Sequence, residues 1–169
     1  MKRGYLSAVI IAMITFQIET LAAIPSEYAA ISIKAPASFS ERVFDLTPVI
    51  EKSRRENKNI FLYLGAADCP PCKEYEMFLS RNFEMLKESF SNYVIGDIQT
   101  WIRGPDIYFL IDGQKIPIPQ FKEKVGDANK RILYPTYWIL DHNLRQIRQL
   151  PAGNKQFLDI ERHKALIGK

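Results

Sequence analysis

The stretch Phe61–Leu79, FLYLGAADCPPCKEYEMFL, holds the only two cysteines in a chain of 169 residues. Cys69 and Cys72 flank Pro70 and Pro71. The run before them, NIFLYLG (Asn59–Gly65), is apolar, rich in strand formers and stopped by glycine. It reads as a central buried strand. After the cysteines, Tyr75, Phe78, Leu79, Leu86 and Phe90 recur at helical spacing. They predict a helix from the cysteine pair to about Arg81, then a bend and a second helical piece. Pro70 suits a first helical turn, where a missing N–H costs nothing. Cys69 then lies at a helix N-terminus, where free N–H groups and the macrodipole favour a thiolate. Cys72 stands one turn further in as its partner. Lys73 adds positive charge beside the pair and Asp68 opposes it.

Such a pair supports a two-step exchange. The Cys69 thiolate attacks a substrate disulfide, and Cys72 then resolves the mixed disulfide. The reverse course donates a disulfide. The pair is too close to staple a fold, because closing so short a loop constrains little of the unfolded chain.

The composition is that of a globular protein, 47% hydrophobic and 25% charged, without repeats or simple tracts. Residues 1–23 open with Lys2 and Arg3, run apolar from Tyr5 to Phe16 and end in TLAA. This is the layout of a secretory signal peptide cut after Ala22 or Ala23. An uncleaved N-terminal membrane anchor is the alternative, although the run is short of the ~20 residues that span a bilayer. Cleavage removes Lys2, Arg3 and Glu19 and takes the formal charge from +4 to +3. A charge of that size calls for no nucleic-acid partner. Export to the periplasm, or otherwise out of the cytoplasm, permits disulfide chemistry.

Beyond the leader, Ile24 to Ser40 reads as an extended segment and residues 41–169 as one domain. A helix is expected from near Phe44 to about Asn57, and a strand from Asn92 to Gln99. Asp112-Gly113 marks a hairpin within Tyr108–Ile118. A short helix over PQFKEKVGDANKR precedes the strands TYWILD and LRQIRQL, which turn at Asp141-His142-Asn143. NKQFLDIERHKALIG closes the chain as an amphipathic helix with Phe157, Ile160 and Leu166 inward. The order implies an α/β fold, a mixed central sheet with helices on both faces.

NIFLYLGAADCPPCKEYE resembles the active-site strand, loop and helix of the thioredoxin superfamily, and ILYPTYWILDHNLRQIRQLPAGNKQFL resembles its second half. The resemblance runs from about Phe44 to Leu166. It implies that Pro135 is a cis-proline facing the cysteines. It also implies that Tyr134 offers backbone hydrogen bonds to substrate and that Gly153 precedes the last helix. Three positions depart from the family pattern. Asp68 stands where thioredoxins often carry tryptophan. Tyr63 stands where many carry a buried acid. Cys72 and Pro135 are 63 positions apart, and the excess falls in an insertion at about 99–121. The insertion, with Trp101, Tyr108 and Phe109, either shapes a partner surface or extends the core.

The resemblance, with the expected leader, implies an exported thiol–disulfide oxidoreductase without a cofactor, and with no separate dimerisation domain evident a monomer is expected. Its catalytic pair is Cys69 and Cys72, tuned by Asp68, Pro70, Pro71 and Lys73. Its substrates are exported proteins with disulfides or thiols, and a membrane thiol reductase is the expected electron donor. Oxidising relatives usually place a histidine between the cysteines, so the Pro70-Pro71 pair leans the reading towards a reductase. The alternatives are a disulfide oxidase or isomerase of the same fold and a copper(I) metallochaperone using both cysteines. Zinc needs further ligands, and His142 and His163 read as ordinary surface residues.

Overall fold

A computed structural model describes residues 23–38, 40–129 and 131–168. All but the last residue of the expected signal peptide lies outside the described residues. The chain builds two sheets. The larger has five strands in the order β1 (Ile31–Ile33), β4 (Tyr93–Thr100), β3 (Asn59–Ala66), β7 (Thr136–Leu140) and β8 (Gln146–Arg148). β1, β4 and β3 run parallel, whereas β7 and β8 run antiparallel to their neighbours. The smaller sheet joins β2 (Glu41–Asp45), β5 (Asp106–Ile111) and β6 (Gln114–Pro117), with β2 and β5 parallel and β5–β6 a hairpin.

β3 is central because both its faces are apolar. Ile60, Leu62 and Leu64 enter one core, and Phe61 and Tyr63 enter the other. Alternation along a pleated strand produces this division, and β7 repeats it, Trp138 and Leu140 against Tyr137 and Ile139. On the first face pack α1 (Thr47–Glu56) and α4 (Ile118–Val125), through Val49, Ile50, Phe121 and Val125. On the second pack α2 (Pro70–Arg81), α3 (Phe83–Leu86) and α5 (Ile160–Ile167). The fold is therefore the mixed α/β architecture of the thioredoxin-like class, with helices on both faces and a hairpin before Pro135. Gly96 allows the sheet and α1 to meet, since a Cβ there would stand 2.8 Å from Leu62 Cδ1 and 3.1 Å from Val49 Cγ2.

Several local expectations change. The helix expected from Phe44 starts instead at Thr47, and Glu41–Asp45 is a strand. A helix starting at Phe44 would place Pro48 one turn in, where its missing N–H and its ring conflict with the carbonyl of Phe44. In the first turn Pro48 is harmless, and Asp45 Oδ1 accepts the Thr47 N–H at 2.9 Å. The expected leader contributes β1 to the sheet edge. The short helix after the hairpin ends at Val125, where Gly126 takes φ +82°.

The closing helix is shorter than expected, because Asp159 caps it by accepting the Arg162 N–H at 2.9 Å. Its buried residues are His163 and Ile167. Ile160 and Leu166 are only partly covered, and Phe157 is buried in the turn before it. His163 is thus a core residue and not a surface one. It stands at i+3 from Ile160 and i−4 from Ile167, on the same helical stripe.

The insertion carries part of the core. Phe109 and Phe121 are fully buried with ring centroids 4.6 Å apart, and both meet the Trp138 ring edge-on. Phe109 thereby locks the small sheet to the large one. Phe109→Ala is expected to lower the unfolding free energy by about 3–5 kcal/mol in urea titration with a single transition. A loss below about 1 kcal/mol, or a separate early transition, would show that the hairpin is not part of the cooperative core.

Candidate redox site

β3 ends at Ala66, and the Ala67 N–H bonds the carbonyl of Thr100 at 2.9 Å, so the following loop stays tied to β4. Asp68 follows, exposed, and then α2 begins. Cys69 is its N-cap in extended conformation, with Pro70 and Pro71 as the next two residues. Cys69 and Cys72 form a disulfide with Cα atoms 5.3 Å apart. Both are buried, in a cluster with Ala66 and the partly covered Tyr134.

Two prolines at the start of α2 have an electrostatic consequence. A helix N-terminus normally offers several free N–H groups to an anion. Here the first two are missing, and the Cys72 N–H is the first available. It reaches both Cys69 O and Cys69 Sγ at 3.1 Å. A Cys69 thiolate in the reduced protein would therefore receive one direct N–H and the dipole of a twelve-residue helix.

The cysteines face the segment before β7. The Tyr134–Pro135 peptide is cis, and Pro135 is buried. Tyr134 packs on the cysteine cluster, and burial raises its phenol pKa; Arg42 opposes that rise and Asp68 adds to it. Asp68 Oδ1 accepts the Ile102 N–H at 2.8 Å. That bond joins the loop before Cys69 to the insertion. Lys73 is exposed, and its positive charge draws the Glu76 carboxyl down. Asn154, just after Gly153, donates to Pro71 O at 3.0 Å and Glu74 Oε2 at 2.7 Å, holding the first turns of α2.

Sequence reasoning missed a buried acidic network beneath the pair. Tyr63, which occupies the position expected of a buried acid, donates its hydroxyl to Glu76 Oε1 at 2.8 Å. Glu76 follows Cys72 by four residues on the buried face of α2, so the two side chains are neighbours on one helical stripe. Gln99 donates to Glu76 Oε1 at 3.1 Å and to Asp97 Oδ1 at 2.9 Å, and Asp97 Oδ2 accepts the Ile24 N–H at 3.1 Å. Among the described residues, buried Glu76 Oε2 has no hydrogen-bond partner.

Burial pushes the Glu76 carboxyl up to about 7, against the pull of its bonds from Tyr63 and Gln99, with Asp97 adding to the rise. Burial likewise pushes Asp97 up to about 6. The acid is present but comes from the helix, not from β3. The signal was Glu76 at an apolar helical position beside Tyr75 and Leu79.

His163 is also part of this core. Its Nε2 meets the Tyr75 hydroxyl at 3.1 Å, and burial lowers its pKa to about 4, leaving a neutral ring. His142 sits half-buried in the β7–β8 turn. Among the described residues, no group of three or more His, Cys, Asp or Glu side chains is gathered as for a metal ion. No protein-family model matches the chain. No significant match is found among curated proteins.

The carboxyl pair makes stability depend on pH with a definite sign. Glu76 and Asp97 hold protons to higher pH folded than their ordinary values of 4.5 and 3.8. Their stabilisation is full below those ordinary values and is lost as pH rises through the folded ones. His163 runs the other way, its contribution being lost as pH falls from 6.5 towards 4. Comparison with Glu76→Gln isolates the first effect. The unfolding free energy of oxidised wild type, minus that of the variant, should decline by about 1–3 kcal/mol between roughly pH 5 and pH 8. A difference that stays flat with pH would mean that Glu76 titrates normally.

Proposed function

We propose that the protein is a thiol–disulfide oxidoreductase acting on exported proteins, with Cys69 as nucleophile and Cys72 as resolving thiol. The observation that carries the proposal is the Cys69–Cys72 disulfide at the N-terminus of α2, with Tyr134, the residue before Pro135, packed on it. In the reduced protein the Cys69 thiolate attacks one sulfur of a substrate disulfide. That S–S bond breaks, a mixed disulfide forms, and the departing substrate thiolate takes a proton. Cys72 then loses its proton, with the neighbouring Glu76 carboxylate as acceptor, and attacks Cys69 Sγ. The second substrate thiolate leaves and is protonated. The substrate gains two electrons and two protons, and Cys69–Cys72 is left oxidised. A dithiol donor, a membrane thiol reductase in an exported setting, restores the pair.

The prolines favour the reducing direction. Strong oxidants of this chemistry owe their potential to a stabilised reduced form. Pro70 and Pro71 remove two N–H groups that would stabilise the Cys69 thiolate, and Asp68 adds no positive charge. Tyr134 and Pro135 then serve as the surface on which the substrate sulfur approaches Cys69, and Lys73 tunes the site through Glu76.

Trapping tests the division of labour. Reduced Cys72→Ser protein, mixed with a disulfide-containing unfolded protein, should accumulate a covalent adduct that dithiothreitol releases. Cys69→Ser should form little or none. Adducts that form equally through Cys72, or none with either variant, would overturn the proposal.

A further inference from the structure

A cleft of about 560 Å³ opens beside the disulfide, between the insertion and the segment before Pro135. Tyr134 belongs to both, since it packs on Cys69 and Cys72 and also lines the cleft. The remaining lining is mainly apolar. Ile107 and Ile118 lie buried at its base, and Ile132 and Ile102 stand at its edges, the latter 47% exposed. The Asp68–Ile102 bond holds Ile102 beside the loop that leads to Cys69, where it joins Ile107, Ile118 and Ile132 in one contiguous apolar lining, and such a patch, unlike a single exposed side chain, marks a binding surface.

One wall is cationic. Arg42, part-buried on β2, donates from Nε to Pro105 O at 2.8 Å. Its Nη1 donates to Thr100 Oγ1 at 2.7 Å and to Trp101 O at 2.6 Å. All three acceptors are neutral, and among the described residues no carboxylate lies within ion-pairing distance of the guanidinium. Among the described residues, its Nη2 makes no hydrogen bond. Among the described residues, Asp106 is the one acidic residue lining the cleft; it is exposed and does not pair with Arg42. Gly104, at φ +144°, lets the loop lie against the guanidinium, where a Cβ would stand 3.4 Å from Arg42 Cζ.

We infer that this cleft is the substrate-recognition subsite of the redox centre. Its occupant is an extended polypeptide segment bearing an apolar side chain and a carboxylate close to the reacting cysteine. The inference rests on the redox reading above. A substrate sulfur at Cys69 brings its flanking residues across Tyr134 into the cleft. The apolar side chain covers Ile107 and Ile132, and the carboxylate neutralises Arg42. Charge placed this way selects among partners more than it adds raw affinity.

The test measures the rate at which the reduced full chain is oxidised by three disulfides. Two are symmetric peptide disulfides with the same apolar residue beside cysteine, one carrying glutamate and the other lysine. The third is oxidised glutathione. The glutamate peptide should react roughly tenfold faster than the lysine peptide and faster than glutathione. Arg42→Gln should bring the peptide ratio to within about twofold. Ile132→Glu, which leaves the Arg42 hydrogen bonds intact, should lower the same ratio.

A wild-type ratio near one, with both peptides reduced, would overturn the subsite while leaving the redox function standing. A preference for glutathione over both peptides would overturn the polypeptide occupant. Failure to react with any of the three would overturn the redox reading itself.

Discussion

The structure depends on β3 being buried on both faces. An eight-residue strand without a polar face can sit only in the middle of a sheet, and β4 and β7 flank it on either side. Its C-terminal end then opens into a fixed place. The strand delivers Ala66 to the sheet's end, and the loop to α2 is short. Cys69 therefore falls at the helix N-terminus, opposite the segment that enters β7. The Cys69–Cys72 disulfide is where it is because Ile60–Leu64 has no alternative to the core.

The same constraint explains the acidic network. With Tyr63 pointing into the second core, its hydroxyl needs an acceptor, and Glu76 on α2 supplies it. Burying a carboxyl there raises its proton affinity, and Gln99 links it to Asp97. Strands β3 and β4 and helix α2 are thus coupled through one hydrogen-bonded group, on the same helical stripe as Cys72. On the opposite face the insertion is joined by Phe109 and Phe121, so the loop bearing Ile102 is tied at both ends, to the core and to Asp68. Its position beside the disulfide is part of the packing.

Much of this was legible in the sequence. The central strand, the helix from the cysteines to Arg81, the hairpin at Asp112-Gly113 and the mixed α/β class follow from local pattern and turn chemistry. The strand Glu41–Asp45 was not legible as one, because its pairing with β5 is a contact across more than sixty residues; Pro48 nonetheless marked the true helix start. His163 looked like a surface residue because histidine usually is one, although its spacing to Ile160 and Ile167 placed it inward. Glu76 is illegible for a similar reason: a glutamate on a helix reads as solvated until a tyrosine from the next layer is seen bonding it. At the site, Cys69, Cys72 and the Tyr134-Pro135 dipeptide were readable from motif and spacing. The cleft was not, since Arg42 and Ile132 meet there only through the fold.

The central claim is that Cys69 and Cys72 form a redox couple whose reduced form is only weakly stabilised, because two prolines open α2. Equilibrating the protein without residues 1–23 in defined thiol–disulfide buffers, and reading the fraction oxidised, measures that directly. The account predicts a reversible two-electron couple with a potential near about −270 mV. A value near about −120 mV would contradict it, as would a pair that fails to cycle at all.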